Sequence, residues 1–256
     1  MPKPKIPVFC VVSYSRKSGK TSIAAQLISL LSKRGFSIFS VKHASKQIDV
    51  PGKDTSRLAE AGAKAVMAIS PQASAIYLYA DPPSLEGLLN LIESLYGGGI
   101  AICEGFKQSP YPKIYVNPPP QAKLVNTFAL VYTNTVPLSE EAEAYPSTRL
   151  EPLCDRIVEA SLHYVLSLLP GRNCGNCGYS SCRELAEAYL QGKARLEECS
   201  LPTPSYELAL LVNGEEISLS RYPSLVISSV LEALTKGLKG VPREYHELAF
   251  KLRRVR

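Results

Sequence analysis

The run Val11-Val12-Ser13-Tyr14-Ser15-Arg16-Lys17-Ser18-Gly19-Lys20-Thr21-Ser22 has the residue types and order of a phosphate-binding loop. In such a loop, backbone N–H groups, here from Ser15, Arg16, Lys17, Ser18 and Gly19 to Ser22, face phosphate oxygens at a helix start. Lys20 brings positive charge to the β- and γ-phosphates, and the Thr21 hydroxyl is a magnesium ligand. Tyr14 stands where such loops carry their first glycine, so the turn is expected to form in a non-glycine conformation. A second set of donors is Cys174, Cys177, Cys182 and Cys199. Three thiols cluster around glycines and the fourth lies beyond a helix-patterned stretch, a four-thiolate pattern open to zinc or to an iron-sulfur cluster.

These groups need a frame. Short β-branched runs at 7–12, 37–41, 65–70, 75–79, 100–103 and 128–132 alternate with apolar stripes of helical period, such as Ile23, Leu27, Leu30 and Leu31. That alternation predicts an α/β fold, a mainly parallel sheet with helices on both faces, of the P-loop nucleotide-binding class. The proline-rich stretch 110–120 reads as a surface excursion carrying an edge strand at 113–116. A helix over 153–169 closes this first domain, 1–170. The breaks at Pro170-Gly171 and Leu201-Pro202-Thr203-Pro204 bound a four-cysteine module, 171–202, with a helix over 183–190. The remainder, 203–256, reads as a small α+β unit, with a hairpin turning at Asn213-Gly214 and a helix over 225–238.

Bulk properties narrow the classes. At 256 residues the chain suffices for a main domain and small additions, with 45% hydrophobic and 20% charged residues, ordinary globular usage. The net charge of +6 is dispersed, which argues for solubility rather than a nucleic-acid surface, and the basic tail Lys251, Arg253, Arg254 and Arg256 reads as a solvated terminus. No apolar run approaches the roughly 18 residues of a membrane span, and the N-terminal run is too short for a signal sequence. A cytoplasmic protein is expected, whose clustered cysteines are ligands rather than disulfides. Cys10, Cys103 and Cys154 read as small buried hydrophobes, and His163 and His246 as structural or exposed residues.

An acid that helps hold magnesium belongs at the end of a buried strand beside the loop, and Glu104 follows such a run. Lys42 and His43 end the second run, and Lys53, Asp54 and Arg57 follow on a polar loop and a short helix. Together they offer several cations near a nucleotide.

Lys42-His43, Pro51-Gly52-Lys53-Asp54-Thr55 with Arg57, Ala61-Gly62-Ala63, and Glu104-Gly105-Phe106-Lys107 followed by Pro112-Lys113-Ile114 resemble the molybdopterin-guanine dinucleotide biosynthesis adapter protein B family, over roughly residues 5–165. The resemblance implies a protein that binds GTP with Mg2+ and assists the molybdenum cofactor guanylyltransferase that attaches GMP to molybdopterin. It further implies a pterin cofactor and target molybdoenzymes as partners, a homodimer, and at most a weak GTPase, in molybdenum or tungsten cofactor maturation. Selectivity for guanine rests on this resemblance, since no Asn-Lys-x-Asp motif is present and Thr133-Asn134 is only a strand end. The cysteine core, Cys-Gly-x-Cys-Gly-x3-Cys with Ala186, Gly192 and Cys199, resembles the 4Fe-4S domain of corrinoid iron-sulfur proteins and electron-transfer subunits, and favours a 4Fe-4S cluster over zinc. The competing functional readings are a nucleotide-dependent iron-sulfur electron-transfer or reductase component, and an interaction scaffold that the cluster merely staples.

Overall fold

The computed structural model describes residues 4–15, 17–44, 48, 51–79, 83–133, 142–200, 208, 210–217, 221–236 and 238. In chain order the elements are β1 (Val8–Val12), α1 (Lys20–Lys33), β2 (Ile38–Phe39), α2 (Asp54–Glu60), β3 (Ala65–Ile69), β4 (Ser74–Leu78), α3 (Leu85–Tyr96), β5 (Ile100–Glu104), β6 (Lys113–Val116), β7 (Thr127–Tyr132), β8 (Ala144–Pro146), α4 (Glu151–Leu168), α5 (Cys182–Leu190), β9 (Leu210–Val212), β10 (Glu215–Ile217) and α6 (Arg221–Lys236).

Six strands form one sheet in the order β2-β5-β1-β6-β7-β8, and every pair in it is parallel. Alternate residues of each strand serve opposite faces. Phe9, Val11, Ile100, Ile102, Ile114, Val116, Ala129 and Val131 face one core with Ile23, Leu27 and Leu31 of α1 and Leu153, Ile157 and Val165 of α4. Val8, Cys10, Val12, Ala101, Cys103, Tyr115 and Leu130 face the other, covered by Leu85 and Leu89 of α3. Helices thus pack on both faces, as the alternating pattern requires.

Two expectations need correction. The runs at 65–70 and 75–79 do not join the main sheet: β3 and β4 form a separate antiparallel hairpin closed by Ser70 N–H donating to the Ala73 carbonyl at 2.8 Å. The four residues between those strands are far too few for a parallel crossover. The strand at 113–116 is not an edge strand, because β6 lies between β1 and β7 with all four residues buried. Its prolines all fall outside the paired residues, so none removes a ladder donor. The edge strands are instead β2 and β8, the latter a three-residue strand whose sequence carries no alternation to reveal it.

The C-terminal hairpin turns at Asn213 and Gly214, both left-handed (φ 55° and 90°), the geometry of a tight two-residue connection. The basic tail and His246 lie outside the described residues. Cys10, Cys103 and Cys154 are fully buried, and burial pushes the Cys154 thiol up to about 11. Among the described residues no helix is long and apolar enough to cross a membrane.

Candidate functional site: a phosphate loop and a cysteine pocket at opposite ends of the sheet

A parallel sheet gathers the C-terminal ends of its strands at one edge. Here that edge collects Ser13 after β1, Lys42 after β2, Glu104 at the end of β5, Asn117 after β6 and Thr133 after β7. The chain runs outward from β1 in both directions, to β5 and β2 on one side and to β6, β7 and β8 on the other. The loop after β1 therefore lies at the topological switch point, where ligands bind in open α/β sheets.

The loop closes onto the N-terminus of α1. Its N-cap, Gly19, is left-handed (φ 88°) and offers no side chain to the first-turn amides, and no acidic residue stands in that turn. Such a helix start presents N–H groups and positive dipole to an external anion. Lys17 is also left-handed (φ 56°), whereas Tyr14 is not. The tyrosine is accommodated because the left-handed turns fall later in the loop. Its ring stacks on Tyr115 (centroids 6.0 Å apart), its hydroxyl donates to the Lys123 carbonyl, and the Lys107 ammonium lies 3.1 Å from its ring centroid.

Lys20 curls back over the loop, donating to Ser13 Oγ at 2.6 Å, the Ser15 carbonyl at 3.2 Å and Ser18 Oγ at 3.4 Å. Thr21 Oγ1 donates to Glu104 Oε2 at 2.9 Å, and Lys42 Nζ stands 3.2 Å from the same oxygen. The backbone sets this meeting: Glu104 N–H donates to Val41 and His43 N–H to Glu104, both at 2.9 Å, in an isolated parallel bridge between Lys42 and Glu104. His43 packs edge-on to Phe106 (centroids 5.4 Å apart), and a Cβ on Gly105 would lie only 2.9 Å from its Cβ. The hydroxyl and carboxylate are hard oxygen donors suited to magnesium.

The structure thus brings Ser15, Ser18, Gly19, Lys20, Thr21, Lys42 and Glu104 together, with Lys17 and Ser22 on the same loop and helix start and His43 beside them. Lys53, Asp54 and Arg57 are exposed on α2 and at its N-terminus, and no hydrogen bond or ion pair joins them to the described residues of the phosphate loop. Arg16 and Asn134 lie outside the described residues. Sequence reasoning missed Asn117, which is left-handed (φ 45°) and links the Ser18 carbonyl to Thr133. The available signal was an asparagine between a β-branched run and a triple proline.

The cysteine segment is set by short-range polar contacts. Asn173 Oδ1 accepts from the N–H of Cys182 at 2.8 Å, closing the segment on itself. Gly178 N–H donates to Gly175 at 3.0 Å, and both glycines are left-handed (φ 88° and 74°), so the chain turns tightly around Cys177. Ser181 caps α5 by accepting from Glu184 N–H, while the Glu184 carboxylate accepts from the N–H and hydroxyl of Ser180 at 2.7 and 2.6 Å. Those bonds hold the Glu184 carboxyl below its ordinary range. Cys182 then begins the helix, at its positive end. The 3-10 turn Leu196–Glu198 delivers Cys199.

Cys174, Cys177, Cys182 and Cys199 line one concavity with Tyr179 and Leu185. Among the described residues no three His, Cys, Asp or Glu side chains converge tightly enough to hold a single metal ion. The donor set, four thiols around one recess, fits an iron-sulfur cluster.

This segment is anchored to the first domain. Leu185, Ala186, Tyr189, Leu190, Ala194 and Leu196 belong to the same buried cluster as β1, α1 and α4. Ser37 N–H donates to the Leu190 carbonyl at 3.0 Å, and Lys5 pairs with Glu197 and with Glu93. Lys5, Ser37 and the glycines at 97–99 all precede strands of the parallel sheet. The cysteine recess and the loop after β1 therefore sit at opposite ends of strands about 16 Å long.

Residues 8–131 match the family model of molybdopterin guanine dinucleotide synthesis protein B, and residues 169–201 match a model provisionally described as an Fe-S cluster. A Methanocaldococcus jannaschii protein, provisionally named as a molybdopterin-guanine dinucleotide biosynthesis adapter protein, is 27% identical over 240 residues, 91% of this chain and 92% of that relative. The adapter protein of that name from Haemophilus influenzae is 29% identical over 166 residues, 62% of this chain and 92% of its own length. In fold, the crystal structure of Bacillus subtilis MobB superposes with a TM-score of 0.50 at 23% identity, covering 61% of this chain and 98% of that one. Residues 8–131 therefore have the character of a molybdopterin guanine dinucleotide synthesis protein B domain, and residues 169–201, which follow, resemble the provisionally described Fe-S model.

Proposed function

We propose that this chain is a GTP-binding adapter of molybdopterin guanine dinucleotide biosynthesis that carries a 4Fe-4S cluster at the end of the sheet remote from its nucleotide. The observation that carries the reading is the convergence of Lys20, Thr21 and Glu104 at the switch point, within a domain of this family. Backbone N–H groups of the loop and the first turn of α1 bind the phosphates, with Lys20 over the β- and γ-phosphates. Thr21 and Glu104 hold magnesium, directly or through water. Lys42 and His43 border that site, and Lys53, Asp54 and Arg57 serve the nucleotide or its acceptor from α2.

The partner is a guanylyltransferase that joins GMP to the pterin cofactor of molybdenum or tungsten, with target molybdoenzymes downstream and a second copy of the chain completing a homodimer in the cytoplasm. As an adapter it binds GTP far better than it hydrolyses it. Cys174, Cys177, Cys182 and Cys199 are the cluster ligands, and a bound cluster supplies one-electron redox chemistry at that end.

A nucleotide panel tests the reading. GTP bound in preference to ATP supports the adapter, ATP preferred favours an iron-sulfur reductase component, and absence of binding by either contradicts nucleotide function.

A further inference from the structure

We infer that Lys42 is a built-in counter-ion to Glu104 that exchanges that carboxylate for phosphate when a divalent cation is bound. The inference rests on the nucleotide site proposed above and deepens it.

Two donors meet on a single oxygen of Glu104: the Thr21 hydroxyl at 2.9 Å and the Lys42 ammonium at 3.2 Å. These are the hydroxyl and carboxylate assigned to magnesium, so a cationic group already stands against the carboxylate of the metal site. The two partners differ in freedom. The Glu104 side chain is only 15% exposed and ends a strand paired on both sides, whereas the Lys42 side chain is 59% exposed. The Lys42 backbone is fixed beside Glu104 by the bridge between them, yet its four-carbon stem lets the ammonium swing. An ammonium and a divalent cation drawn to the same carboxylate repel each other, so each weakens the other there. Once displaced, the ammonium finds a new partner in the phosphates that Lys20 also faces, at the same strand-end edge.

This exchange has a signature that neither a plain phosphate ligand nor a packing role produces. Without a divalent cation, Lys42 neutralises Glu104, whose bare charge would repel the phosphates. With one, it competes at Glu104. Removing its charge should therefore weaken GTP binding in chelator yet lower the magnesium concentration needed for tight binding.

The measurement is GTP affinity of the full-length protein in excess magnesium and in chelator, for the parent, Lys42→Met and Lys42→Arg. The ratio of the two affinities should rise about tenfold in Lys42→Met, the scale of one charge-assisted contact, and return towards the parent value in Lys42→Arg. A ratio unchanged in Lys42→Met, including equal losses under both conditions, overturns the inference. If Lys20→Ala still loses binding in that case, the nucleotide site stands and the exchange alone falls. If the parent binds no GTP under either condition, both fall together.

Discussion

The side-chain amide of Asn117 donates to the Ser18 carbonyl at 3.3 Å, while its oxygen accepts from the Thr133 N–H and hydroxyl, both at 3.0 Å. One residue at the end of β6 thus ties the phosphate loop to the end of β7. The loop gains a support that its own sequence, with Tyr14 in place of a glycine, does not contain.

Replacing Asn117 with Asp keeps the acceptor for Thr133 but sets a carboxylate against the Ser18 carbonyl. Asn117→Asp should weaken GTP binding by about threefold to tenfold, the value of an exposed hydrogen bond turned repulsive. Thr133→Val should cost less, because its backbone N–H still donates. Equilibrium titration checks this, and equal affinities for parent and Asn117→Asp would contradict the support role.

The docking of α5 depends on a glycine. A Cβ on Gly98 would lie 2.1 Å from the Tyr189 carbonyl and 2.5 Å from its ring, and Tyr189 is itself buried. Gly98→Ala should destabilise the protein by about 1–3 kcal/mol, the range for overpacking. Chemical denaturation measures it, and an unchanged midpoint would mean that the cysteine segment is not wedged against the sheet as described.

Local chemistry was the legible part of the sequence. Gly19-Lys20-Thr21 before an apolar helical stripe, Glu104 after a buried run and the four cysteines stand out by residue type and spacing, and the structure brings Thr21 to Glu104 and the cysteines to one recess. What escaped depended on distant pairing. Burial of β6 between two other strands cannot be read from four residues flanked by prolines, and Asn117 matters only because β6 lies beside β1. The cysteine segment looked separable because Pro170-Gly171 precedes it. Its apolar residues nevertheless share a core with α1 and α4, a consequence of where α5 packs. Lys53, Asp54 and Arg57 stand together in the sequence on a polar loop and short helix after the second run, and the fold places Lys53 at the N-cap of α2 and the other two within that helix, which packs on β3.

The cluster assignment makes a ligand-by-ligand prediction. Cys199→Ser should degrade a four-iron cluster towards a three-iron form or lose it, because Cys199 lines the recess with the other three. Cys154→Ser should leave iron and sulfide content unchanged, because Cys154 is buried within α4. Anaerobic purification with metal and sulfide analysis distinguishes them. Loss in Cys154→Ser but not in Cys199→Ser would mean a different fourth ligand, and tight zinc without sulfide would remove the cluster.

The central claim is that the edge gathered around Lys20 binds magnesium-GTP. Lys20 already bridges three oxygens of its own loop, and a bound nucleotide replaces these with phosphate. Isothermal titration of magnesium-GTP into the parent and Lys20→Ala proteins tests this most directly. Saturable binding by the parent, lost in Lys20→Ala, is the result expected. Lys20→Ala binding as tightly as the parent would contradict the phosphate site and the function built on it.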